Sequence, residues 1–205
     1  MLITGPNAAG KTTLLKTTIF NIILSQQIGF GFYKKASLEP YDMIHCYINI
    51  PDTSARDSLF QAEAKRCKDI LEKMNEHELP IINDGRTMPL KSLRHFCVFD
   101  ELYSGTNPYE AVGSAYAFLT FLNKNDNVNF VLTTHFLDLC RRLEKQKKMN
   151  NYHMKIEVNE EDFKYTYKMA KGISTIKGGV KVLKDLDYPQ EIINTTIETL
   201  KELEI

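Results

Sequence analysis

Gly5-Pro6-Asn7-Ala8-Ala9-Gly10-Lys11-Thr12, standing directly after Met1-Leu2-Ile3-Thr4, is the stretch whose reading decides the fold. It satisfies G-x-x-x-x-G-K-[ST], the phosphate-loop pattern, in which every fixed position has a physical task. Gly5 and Gly10 permit backbone angles that a side chain resists, so successive N–H groups can turn inward around phosphate oxygens. Lys11 supplies a point charge for β- and γ-phosphates, and the Thr12 hydroxyl is a Mg²⁺ ligand. A helix is expected from Thr12 to about Ser25, with its positive end toward the nucleotide. The candidate nucleotide-binding residues are therefore Gly5, Pro6, Asn7, Ala8, Ala9, Gly10, Lys11, Thr12 and Thr13.

Outward from the loop, Leu2–Thr4 reads as a short strand and Met43–Ile50 as a second one, stopped by Pro51. Apolar residues from Leu59 to Met74 recur at helical spacing, opposite Lys65, Arg66, Lys68 and Asp69. Glu76–Leu90, with Pro80, Asp84-Gly85 and Pro89, reads as a loop or small excursion. Phe96–Phe99 is an uninterrupted apolar run, as expected of a strand buried on both faces. Asn107-Pro108 starts a helix that runs to about Leu122, Asn as N-cap and Pro at the first helical position. Phe130–Thr133 is another buried strand. Tyr152–Val158 and Phe163–Met169 form a hairpin across the turn Asn159–Asp162, and Pro189–Leu203 closes the chain as an amphipathic helix. Strands alternating with helices, with polar residues at strand C-terminal ends, indicate an α/β fold: a mostly parallel, doubly wound sheet with its site on that edge.

Three residue groups corroborate the loop. Asp100, at the end of a buried strand, can complete the Mg²⁺ octahedron begun by Thr12 and the phosphates. Glu101 beside it suits another task, polarising the water that attacks the γ-phosphate. His135, just past the next strand, is placed to sense the γ-phosphate or orient that water. Ser58 opens a helix. It is either a plain N-cap or part of an anion site presented to a phosphate of a second subunit, and the residues leave both open. Asn123-Lys124-Asn125-Asp126 spells N-K-x-D, the guanine-reading pattern, but it follows a helix and precedes a strand, so a polar turn explains it.

Composition narrows the class. In 205 residues, 26 Lys+Arg balance 26 Asp+Glu, so the chain as a whole has no electrostatic footprint for nucleic acid. The basic run Arg141-Arg142 to Lys147-Lys148 reads as the solvated end of a helix. Cys46, Cys67, Cys97 and Cys140 are widely spaced and read as reduced core thiols, not a zinc site or disulfide frame. No apolar run reaches membrane-spanning length and no signal peptide is recognisable, so a soluble intracellular protein is expected.

These residues resemble the ATPase domain of MutS-type DNA mismatch repair proteins, within the ABC ATPase class. Thr4–Thr13 is similar to T-G-P-N-x-x-G-K-[ST]-T, and Gln26-Gln27-Ile28-Gly29 to A-Q-x-G. Ser58-Leu59-Phe60-Gln61-Ala62-Glu63 resembles the signature S-x-F-x-x-E, although Thr53–Asp57 stands where many members carry a Gly-rich lead-in. Asp100–Asn107 resembles D-E-x-x-x-G-T-[SN], and Thr134-His135-Phe136 the switch T-H-[FY]. Gly172-Ile173-Ser174, Gly179-Val180 and Tyr188-Pro189 are similar to the closing G-x-S, G-[IV] and G-x-P stretch.

The resemblance implies a P-loop NTPase fold of the ABC ATPase type, with a C-terminal β-hairpin plus helix, over residues 1–205. It implies ATP and Mg²⁺ as ligands, and a homodimer, or a heterodimer with a related ATPase domain, in which Ser58 meets the partner's nucleotide in trans. Glu101 and His135 are then catalytic, and Thr12 and Asp100 hold the metal. Family members carry further strands upstream, then lever, clamp and mismatch-binding domains. The stretch from Met1 is expected to be truncated relative to them, so mismatched DNA would be met only indirectly. A non-hydrolysing, nucleotide-dependent dimerisation module is the alternative. Another ABC-class ATPase head is disfavoured, because neither a Leu-Ser-Gly-Gly signature nor coiled-coil heptads occur.

Overall fold

Eight strands and six helices are seen among the described residues of the computed structural model, which describes residues 1–48, 58–76, 82–83, 86–87, 93–158, 163–174, 176 and 178–202. In order they are β1 (Leu2–Thr4), α1 (Lys11–Ile28), β2 (Met43–Tyr47), α2 (Leu59–Glu76), β3 (Ile82–Asn83), β4 (Arg86–Thr87), β5 (His95–Asp100) and α3 (Pro108–Leu122). There follow β6 (Val128–Thr133), α4 (Leu137–Glu144), β7 (Asn151–Val158), β8 (Phe163–Lys171), α5 (Gly179–Asp185) and α6 (Gln190–Glu202). Six strands form one sheet in the order β2-β5-β6-β1-β7-β8, parallel throughout except for the antiparallel pair β7–β8. The fold is thus mixed α/β, with a mostly parallel six-stranded sheet. β3 and β4 pair with each other alone.

The alternation in β5 explains its unbroken apolar run. Phe96 and Val98 pack with Ile3, Val131 and Leu15 of α1 on one face. Cys97 and Phe99 pack on the other with Ile70 of α2, Phe118 and Leu119 of α3 and Leu139 of α4. A strand covered on both faces has no use for polar residues until it ends. Phe99 is fully buried and meets Phe118 edge-on at 5.5 Å, a contribution of about 1.5–3 kcal/mol from its burial alone.

Local signals behave as their chemistry requires. Asn107 Oδ1 accepts from the N–H groups of Tyr109 and Glu110, at 3.1 and 3.0 Å, with Pro108 opening α3. α1 runs from Lys11 to Ile28, longer at both ends than expected, because it stops only where Gly29 adopts a left-handed cap. The N-K-x-D stretch is a turn: Asn123 donates to Lys147 O at 3.0 Å, and Asp126 pairs with Lys148. Arg141 and Arg142 are exposed in the last turn of α4.

Two expectations need amendment. Strand β2 ends at Tyr47, short of the expected end at Ile50; Asn49, Ile50 and the stop at Pro51 lie outside the described residues. Cys67, Cys97 and Cys140 are buried, but Cys46 is exposed, so it is not a core thiol. β2 is an edge strand of the six-stranded sheet, and Cys46 stands on the face alternate to buried His45 and Tyr47. Thr53–Asp57, Pro80, Asp84-Gly85, Pro89, the turn 159–162 and Leu203 also lie outside the described residues.

Candidate nucleotide site

The loop that follows β1 is pinned at its root. Thr4 Oγ1, fully buried, donates to Tyr152 O at 3.2 Å and accepts from Ser174 N at 2.7 Å. The chain then takes left-handed angles at Gly5 (φ 149°), Ala8 (φ 63°) and Gly10 (φ 92°). A Cβ on Gly5 would lie 3.2 Å from Met154 Cβ, and one on Gly10 would lie 3.2 Å from Tyr167 Cδ1. Both positions need glycine for the angle, and a Cβ at either would press on its neighbour. Gly10 caps α1 without a side-chain hydrogen bond, so the first N–H groups of the helix face the loop's hollow.

Lys11 is buried, and its Nζ donates to Gly5 O at 2.9 Å and Pro6 O at 3.2 Å. Thr12 Oγ1 donates to Asp100 Oδ2 at 2.8 Å, while Thr133 Oγ1 donates to Asp100 Oδ1. Both carboxylate oxygens of Asp100 are therefore oriented by hydroxyls from two different elements. Glu101 sits at φ 52°, a left-handed conformation that costs roughly 1–3 kcal/mol for a non-glycine residue. Its Oε1 lies 3.9 Å from Lys11 Nζ and 3.9 Å from His135 Nδ1. His135, then Lys11, hold the Glu101 carboxyl below the usual carboxylate range, against the opposing effect of its burial. Burial lowers the Lys11 ammonium, and the charges of Glu101 and Asp100 counter that shift.

A cavity of about 620 Å³ opens along the loop, lined among others by Lys11, Thr12, Thr13, Glu101, Met154 and Tyr167. That volume is within the range of small-molecule sites. A second cavity of about 430 Å³ lies where Glu101 and His135 meet Gly5, Pro6 and Ser174. Glu101 borders both. Among the described residues, no three His, Cys, Asp or Glu side chains converge as a metal cluster.

The structure thus brings Gly5–Thr13, Asp100, Glu101 and His135 together. Ser58 lines neither cavity. Its Oγ accepts from Gln61 N at 3.3 Å, and Gln61 Oε1 accepts from Ser58 N at 2.8 Å, a reciprocal cap at the start of α2.

Three participants carry no role in the sequence reading. Thr133 stands there only as the end of a strand, and its hold on Asp100 depends on the register Asp100↔Thr133 between β5 and β6. Tyr167 reaches Gly10 because β7 joins β1 and brings the hairpin across the loop; no local pattern marks it. Glu63 appears only as the last letter of a signature. It is almost wholly buried, with donors on both oxygens.

Comparison with known proteins identifies the family. A family model described as MutS domain V matches residues 1–204. The DNA mismatch repair protein MutS of Persephonella marina is 30% identical over 200 residues, covering 97% of this chain and 21% of that protein. The MutS of Aquifex pyrophilus is 27% identical over 204 residues, covering 99% and 22%. That of Bacteroides fragilis is 27% identical over 207 residues, covering 100% and 22%. The chain therefore spans about a fifth of the length of the curated relatives it matches. Among the described residues, no helix is long and apolar enough to cross a membrane.

Proposed function

The chain belongs to the MutS domain V family, and on that premise we propose that residues 1–205 act as a Mg-dependent ATPase domain of the P-loop, ABC type. The observation that carries this reading is the convergence of Lys11, Thr12, Asp100, Glu101 and His135 on one side of the loop. Thr12 and Asp100 present adjacent oxygens, the hard donors that Mg²⁺ takes alongside phosphate oxygens, so these residues fit the ion. Mg²⁺ there would neutralise the charge that develops on the transferring phosphoryl group.

The protein's own groups divide the remaining work. The loop N–H groups and the start of α1 receive phosphate oxygens. Lys11 exchanges the carbonyls of Gly5 and Pro6 for the β- and γ-phosphates. Glu101, held anionic by His135 and Lys11, accepts a proton from water aimed at the γ-phosphorus. The new P–O bond forms as the bond to the β-phosphate oxygen breaks, leaving ADP and phosphate. His135 borders the same carboxylate and reports whether the γ-phosphate is present. Met154 and Tyr167 line the cavity beside Gly10 and offer an apolar contact and an exposed aromatic face, suited to stacking the base.

Pairing follows from the position of Ser58. Ser58 is exposed and lines neither cavity of its own chain, which supports a role in meeting a nucleotide held by a second copy or a related domain. Neutral net charge supports contact with mismatched DNA only through other domains or chains. The test is Mg-ATP hydrolysis measured against protein concentration. A rate per molecule that rises with concentration is expected; a flat, measurable rate removes the paired site. Phosphate release at background, with ATP-driven dimerisation on a sizing column, would instead identify the non-hydrolysing module. Tyr167→Ala should weaken ATP binding by about 5- to 150-fold, from a loss of roughly 1–3 kcal/mol of stacking, and leave tripolyphosphate binding unchanged. Equal weakening of both ligands would remove Tyr167 from the base.

A further inference from the structure

Glu63 lies in the second turn of α2 and is only 2% exposed. Its Oε1 accepts from Ser104 N at 3.1 Å and from Ser104 Oγ at 3.0 Å, and its Oε2 accepts from Gly105 N at 3.0 Å. A buried charge is tolerated only when so paired. What the carboxylate holds is the segment that begins with Glu101. Tyr103, like Glu101, is left-handed there (φ 59°), and its N–H donates to Tyr47 Oη at 3.3 Å. Gly105 closes on the same helix: a Cβ would lie 2.7 Å from Leu59 Cγ and 2.8 Å from Phe60 N. The segment from Glu101 to Gly105 is therefore bent through two unfavourable angles and fastened to the first turns of α2, which Ser58 caps.

We propose that Glu63 is a positioning residue that holds Glu101 at the hydrolytic site and ties it to the Ser58 end of α2. The inference rests on the reading of the site as an ATPase. It adds a route by which contact at Ser58, in one half of a pair, reaches the water-activating carboxylate of the same chain. Two strained angles in five residues persist only where the surroundings over-determine them, and the Glu63 carboxylate supplies three of the segment's hydrogen bonds.

Glu63→Gln keeps the shape and removes one acceptor. Its amide N–H₂ must then face a backbone N–H of Ser104 or Gly105, donor against donor, while α2 keeps its apolar face. Amide exchange at 101–105 should rise about tenfold, the loss of a charge-assisted hydrogen bond, with α3 unaffected. Single-turnover hydrolysis should fall about 10- to 100-fold from misplacement of Glu101, with affinity for the Mg complex of a non-hydrolysable ATP analogue kept within about threefold. Ser104→Ala, which removes one hydroxyl donor, should show the same directions with smaller size and guards against loss of folding. Full turnover with unchanged amide exchange at 101–105 in both variants overturns the positioning role alone. Absence of turnover in the wild type overturns the reading of the site and, with it, this role.

Discussion

Glu101→Gln is expected to abolish nearly all ATP turnover while leaving Mg-ATP binding intact. The loss should be about 10²- to 10⁴-fold, the usual contribution of a positioned general base. The glutamine amide cannot take a proton from water, yet it is nearly isosteric and half-exposed, so folding is little affected. Binding is retained because the phosphate contacts belong to the loop, Lys11 and Thr12. The pH dependence follows from the same neighbours. A carboxyl held below its ordinary range stays ionised, and so basic, to lower pH than a free glutamate. Turnover should persist as pH falls through the ordinary carboxylate range and decline only below it. Stopped-flow phosphate release with equilibrium binding of Mg-ATP checks both. Hydrolysis at the wild-type rate would remove Glu101 from the chemistry.

Lys11→Ala should act on the other quantity. Its ammonium is buried against two carbonyls and beside two carboxylates, and no second cation lines the loop cavity among the described residues. A charge-assisted hydrogen bond contributes roughly 1.5–3 kcal/mol, so losing the contact to phosphate should raise the Mg-ATP dissociation constant by about 10- to 150-fold. The substitution also leaves Asp100 and Glu101 facing incoming phosphates without a neutralising charge. Calorimetric titration should therefore show greater weakening for ATP than for ADP, since the γ-phosphate lies nearest Glu101 in the proposed pose. Unchanged affinity would mean that the nucleotide does not occupy this loop.

Much of the site is legible in local sequence because each group sits where an element starts or stops. Glycine spacing marks a loop that must bend left-handed. Asp100 and Glu101 end an apolar run because a strand buried on both faces can admit charge only at its end. Asn107-Pro108 announces a helix by capping chemistry alone, and Asn107 makes both expected hydrogen bonds. Cys46 departs from expectation because its environment depends on which strand lies at an edge of the six-stranded sheet, and no pattern within β2 encodes that.

The residues alone determined an α/β chain with a phosphate-loop motif, acid pair and histidine gathered at strand ends, since periodicity, glycine and caps act within a few residues. Only the tertiary structure decided that Thr133 aligns Asp100, that the C-terminal hairpin carries Tyr167 over Gly10, and that Glu63 grips the segment after Glu101. Those contacts join elements far apart in the chain. They arise from strand order and register, and from the demand that a buried carboxylate find donors wherever the packed fold brings them.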